Sequence, residues 1–236
     1  MNAMNVLNIK KVIPKEELKP IGILFLSSLI PAIHKCFGSI EFIRNILPGI
    51  SENNAVMYLF ASTFVLFGVV PLLIIITVFK ESLKDYGINI GDWRKGIRYV
   101  AIFFTLIAVL VIYPSSFNSE LANFYPQSKE AGGSAFLFLK YETLHILLFY
   151  SSWEILFRGF MLFGLRKYVG DSMAIFIQII PSCLWHVGMA TGEIFGALVG
   201  GILFGVMTLK TRSIFYPFML HFLIGVTLDL LIVLKI

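Results

Sequence analysis

The stretch Tyr150-Ser151-Ser152-Trp153-Glu154-Ile155-Leu156-Phe157-Arg158-Gly159-Phe160-Met161-Leu162-Phe163 decides how this chain is read. It sits in an apolar run long enough to cross a membrane, yet it carries a carboxylate, Glu154, and a guanidinium, Arg158. A charged side chain at the bilayer centre costs about 2.5–3.5 kcal/mol on insertion scales, so such residues face a bundle interior and usually act there. Glu154 and Arg158 are four apart, which on a helix puts them on one face and lets each neutralise the other. Two later apolar segments each add a histidine, His186 and His221. These four residues are the constellation that the rest of the sequence has to explain.

Composition sets the class. Of the 236 residues, 58% are hydrophobic and only 14% charged. A soluble domain carries about 25% charged residues. The deficit excludes a globular enzyme and predicts an all-α, polytopic membrane helical bundle. The net charge of +5 is not a nucleic-acid signal, because the basic residues flank the apolar runs, where topology requires them. The partner expected from composition is the lipid bilayer, with no nucleic acid. Cys36 and Cys183 fall in apolar segments, spaced for neither a disulfide framework nor a zinc knuckle. They read as small packed hydrophobes.

Residues 1–20 read as a cytoplasmic tail, and residues 21–236 as a single transmembrane domain. No cleavable signal peptide is expected, since the apolar run from Ile21 lacks a small-x-small site before a polar region. Apolar runs predict about seven transmembrane helices: 21–37, 55–79, 97–113, 134–167, 172–187, 193–209 and 213–234. Residues 38–54 have amphipathic spacing suited to the interface. The fourth run, of 34 residues, would extend about 50 Å as a helix, so its first turns, with Glu142 and His145, are expected to project or line the outer end. With the N-terminus inside, thirteen basic residues lie on cytoplasmic segments and three (Arg44, Lys129, Lys235) outside, which predicts N-in and C-out.

Helical rise puts Glu154 about 20 Å above the inner end of its span, His186 about 21 Å, His221 about 12 Å and Asp229 about 24 Å. These depths allow all four to meet in one layer. His34 beside Lys35 reads as an interfacial cap. Gly196, Gly200, Gly201 and Gly205 read as a stripe for close helix packing, and the many phenylalanines as lipid-facing bulk.

The segment Trp153-Glu154-Ile155-Leu156-Phe157-Arg158-Gly159-Phe160 resembles the first motif, Glu-Glu-x-x-x-Arg, of the CAAX prenyl protease and bacteriocin-processing (CPBP) family of intramembrane proteases. Ser182-Cys183-Leu184-Trp185-His186 resembles the end of its second motif without the usual Phe. His221-Phe222-Leu223-Ile224-Gly225 resembles its third, His-x-x-x-Asn. The resemblance extends over about residues 80–232. It implies an intramembrane endopeptidase that hydrolyses a peptide bond of a membrane-embedded or lipidated peptide or protein. A prokaryotic plasma membrane is the default residence because the chain shows no retention or transit signal. Two departures stand out. Trp153 occupies the position of the first Glu, the carboxylate taken to activate water in the family, and Gly225 that of the Asn.

Peptide hydrolysis needs an activated water and a stabilised oxyanion. On this reading Glu154 activates water with His186, His221 stabilises the oxyanion or binds metal, and Arg158 orients Glu154. Asp229, one turn past Gly225, is the candidate replacement for the missing polar group. Zinc, on His186 and His221 with a carboxylate and a water, is one cofactor the set would suit, and a metal-free glutamate mechanism is the other. The competing readings are an inactive relative acting as a membrane scaffold or immunity protein, and a proton-coupled carrier. A carrier predicts inverted repeats, which the sequence does not display.

Overall fold

The computed structural model describes residues 14–235, so residues 1–13 of the expected tail lie outside the described residues. All regular structure among them is helical. In chain order the helices are α1 (Lys15–Phe37), the short α2 (Ile40–Ile46), α3 (Glu52–Phe79), α4 (Trp93–Ser115), the short α5 (Ser119–Phe124), α6 (Ala135–Val169), α7 (Asp171–Trp185), α8 (Thr191–Thr211) and α9 (Phe215–Val233). Six of them, α1, α3, α4, α6, α8 and α9, are long and apolar enough to cross a membrane. The expected polytopic helical bundle is therefore what forms. The seventh expected crossing is α7, whose 15 residues extend only about 22 Å against a hydrocarbon core of about 30 Å.

Local chemistry sets the helix ends. Ser39, Ser51, Asp92, Asn118 and Ser134 each stand just before a helix and accept a hydrogen bond from a first-turn backbone N–H. Gly170, at φ 82°, breaks the chain between α6 and α7 in a conformation that glycine adopts without steric cost. Pro181 lies inside α7, and the helix stops four residues later at Trp185. That early stop leaves His186 facing the interior.

The bundle is built around α6. Of its most apolar window 67% is buried, against 17–39% for the other long spans. Apolar side chains gain little by leaving lipid, so helices in a bilayer associate through close packing and polar contacts. Here the packing is aromatic. Trp153 of α6 lies 4.7 Å from Phe157, 5.0 Å from Trp185 of α7 and 5.7 Å from Phe67 of α3, measured between ring centroids. Phe60, Phe67, Phe157 and Phe160 are completely buried, so the phenylalanines are not simply lipid-facing bulk.

Three further expectations are corrected. His34 is no interfacial cap. It is buried, its Nδ1 accepts from Trp185 Nε1 at 3.1 Å, and its Nε2 lies 2.8 Å from Thr63 Oγ1. The hydroxyl of Thr63 donates to the Leu59 carbonyl, so it receives the His34 proton, and one polar relay pins α1, α3 and α7 together. Of the two alternatives for Glu142 and His145, projection does not occur, because the bundle buries both, while His145 does line an interior cavity. The glycine stripe of α8 divides in two. A Cβ at Gly201 or Gly205 would press on Ile179 or Ile175 of α7, whereas one at Gly196 or Gly200 would meet nothing within 4 Å.

Candidate functional site

Those two open glycines line a cavity of about 540 Å³ between α4, α6, α7, α8 and α9. Its wall is apolar apart from a few side chains that converge on it: His145, Tyr150 and Arg158 from α6, His186 at the end of α7, Glu193 from α8 and His221 from α9. A concave, mostly apolar pocket with few convergent polar groups is the usual form of a substrate site.

Glu154 and His221 meet. His221 Nδ1 lies 2.9 Å from Glu154 Oε1. The carboxylate can only accept, so Nδ1 carries the proton, and in the neutral imidazole Nε2 is the acceptor. His186 is held the same way, with Nδ1 2.7 Å from the Ser182 carbonyl oxygen, which also leaves its Nε2 as an acceptor. Glu154 does not line the cavity. It is completely buried behind the wall, against Arg158, whose Nε lies 3.3 Å from Oε2. Those two atoms are not aligned as a hydrogen bond, but Arg158 Nη1 donates to Glu154 Oε1 at 3.4 Å, so Arg158 and His221 share that oxygen. The Arg158 guanidinium also lies 5.2 Å from the ring centre of Phe204.

Trp153 stands beside both histidines, its ring centre 5.3 Å from that of His186 and 6.3 Å from that of His221. The position that would hold a second carboxylate is thus filled by an indole. Gly225 has a matching explanation. A Cβ there would fall 1.7 Å from the Tyr150 hydroxyl, so Tyr150 occupies the space that an Asn side chain would use. Sequence reasoning missed this role for Tyr150. The available signal was spacing: Tyr150 lies one turn before Glu154 and shares its face. Glu193 was also missed as a cavity residue, although any carboxylate in a span is a functional candidate. Its Oε2 accepts from the Tyr125 hydroxyl at 2.8 Å.

Asp229 does not join the layer of Glu154, His186 and His221. It is buried with Glu142 and His145, and one ligand atom from each of the three lies within 4.8 Å of the others. Among the described residues this is the group that could hold a metal ion. The pair expected to bind zinc, His186 and His221, does not belong to it. Catalytic zinc takes three protein ligands, and among the described residues no third ligand atom converges with that pair. The two histidines therefore do not fit a zinc site, and the chemistry derived for them uses none.

Fold and site together define a class: an integral, multi-pass helical membrane protein with polar side chains gathered on an open cavity within the bundle. Residues 141–227 match the model of a family described as type II CAAX prenyl endopeptidase Rce1-like. The match spans Glu154, Arg158, His186 and His221 and bears out the resemblance to the CPBP family of intramembrane proteases. Searches of curated proteins and of solved structures found no match.

Proposed function

We propose that the protein is an intramembrane endopeptidase that hydrolyses a peptide bond of a hydrophobic or lipidated segment held in the α4–α9 cavity. The observation that carries this reading is the Glu154–His221 contact of 2.9 Å, with the other imidazole nitrogen of His221 left for the cavity. A water has two O–H groups, and His186 and His221 each offer one acceptor nitrogen. Donating to both would aim an oxygen lone pair at a bound carbonyl. As the water oxygen bonds to that carbon, His221 takes a proton, and Glu154 stabilises the imidazolium from behind. The tetrahedral oxyanion accepts a hydrogen bond from Tyr150, at the position where Gly225 has no side chain. His221 then returns the proton to the leaving nitrogen as the C–N bond breaks. In this division of labour Glu154 acts through His221 instead of touching the water. The substrate backbone can approach α8 where Gly196 and Gly200 leave the wall bare.

A second reading has its own support. Trp153 packs against both histidines, as it would in a relative that retains the cavity but only binds a membrane peptide. The experiment that separates the two uses detergent-purified protein with a quenched fluorogenic library of hydrophobic and lipidated peptides. The endopeptidase reading expects cleavage that His186→Ala and His221→Ala abolish in folded protein. Peptide binding without cleavage in the unaltered protein would move the binding reading to the front.

A further inference from the structure

Glu142, His145 and Asp229 are not used by the mechanism above, yet they are among the most unusual residues of the molecule. All three are at most 3% exposed. Neither oxygen of Glu142, neither oxygen of Asp229, nor Nδ1 of His145 has a hydrogen-bond partner. His145 Nδ1 approaches Glu142 Oε2 at 3.8 Å, too long for a hydrogen bond. Lys129, the neighbouring cation, already donates to the carbonyls of Ala122 and Tyr125. A buried carboxylate without a donor is costly, and two side by side repel each other as well.

We infer that these three side chains form a divalent-metal site that joins α6 to α9 near the outer end of the bundle. A dication beside two carboxylates and a neutral imidazole makes an electrically neutral group, which is the form that burial in a bilayer favours. The donors are two oxygens and one nitrogen, a set that suits zinc and its first-row neighbours better than calcium or magnesium, which prefer oxygen alone. Along α6 and α9, His145 and Asp229 lie nine and eight residues from Glu154 and His221, or about 12–14 Å at helical rise. The metal site is therefore separate from the Glu154–His221 pair. His145 also lines the cavity and stacks on Phe60 at 4.5 Å, so an ion there would fix the wall against which a substrate rests.

The test needs no turnover, so its outcome is independent of whether the protein is a protease. Protein purified without an affinity metal is analysed for bound metals, stripped with chelator and titrated with cobalt(II) and zinc(II). The cobalt complex is examined by visible and X-ray absorption. The inference expects one ion per chain, a single imidazole among oxygen donors, and affinity weakened about 10–100-fold or more by Asp229→Asn or Glu142→Gln. It expects His186→Ala and His221→Ala to bind as tightly as the unaltered protein. Absence of binding at millimolar metal, two imidazoles in the X-ray spectrum, or loss of binding only in the His186 and His221 variants would overturn it. The spectrum of the unaltered protein decides the matter even if the carboxylate variants fail to fold.

Discussion

Glu154 has two partners that ask different things of it. Arg158 needs its charge for neutrality, and His221 needs its oxygen for orientation. Glu154→Gln keeps an acceptor but removes the charge that stabilises an imidazolium. Activity should fall by roughly 100-fold or more while peptide affinity is little changed. A fall in affinity with turnover preserved would contradict this role. Arg158→Met strands a buried carboxylate, and breaking such a pair costs about 3–5 kcal/mol. Its unfolding midpoint in detergent should therefore drop more than that of a double Glu154→Gln, Arg158→Met variant. Tyr150→Phe removes the proposed oxyanion donor and should cost about 100-fold in turnover, in line with single-donor losses elsewhere. Glu154, Arg158, His186 and His221 were legible in the sequence because a charged or titratable residue in an apolar run stands out. Tyr150 was not, since a tyrosine among phenylalanines carries no such contrast. The partnership of Asp229 with Glu142 was hidden as well, because 87 residues separate them along the chain.

The helices α7 and α8 show how element geometry makes the site. α7 is short, so His186 turns inward at its end. α8 packs on α7 through Gly201 and Gly205 and faces the cavity with Gly196 and Gly200. Sequence spacing revealed the glycine stripe but not its division, which depends on where α7 stops. Substitutions should divide the same way. Gly200→Val has room for its side chain, so folding should survive while the filled cavity loses substrate. Gly225→Ala drives a methyl group into Tyr150 and should cost about 1–3 kcal/mol by overpacking. Thermal unfolding and peptide binding, measured on both variants, check the contrast. Equal destabilisation by the two would show that the cavity wall is misdescribed.

Across the whole molecule, the loops near residues 84–95, 166–171 and 209–212 gather around one open concavity of about 1060 Å³, bringing Lys84, Lys95, Arg166, Lys167, Lys210 and Arg212 to a single end. Long apolar runs made most of the helices legible: the run read as 134–167 forms Ala135–Val169. The basic-residue count predicts that the clustered end is cytoplasmic. We therefore expect Asp85→Cys to react with an impermeant thiol reagent only from inside, and Glu130→Cys only from outside, in a background lacking Cys36 and Cys183. The reverse pattern would invert the topology. At the same end Lys19, Lys167 and Tyr86 surround Glu81. Burial alone would raise the Glu81 pKa, but hydrogen bonds from Lys19 and Tyr86 and the two ammonium charges outweigh it and hold the group below its ordinary 4.5. The stability this supplies is complete above pH 4.5 and is lost as pH falls through the lower folded value. Acid unfolding of Glu81→Gln should therefore be flatter below pH 4.5 than that of the unaltered protein.

The most direct test of the central claim is cleavage of the best library peptide in water enriched in oxygen-18, with mass analysis of the new carboxyl terminus. Water-mediated hydrolysis predicts one heavy oxygen in that carboxylate for the unaltered protein, a slowed but identically labelled product for Glu154→Gln, and no product for His221→Ala. Labelled product formed at the unaltered rate by folded His221→Ala would contradict the account.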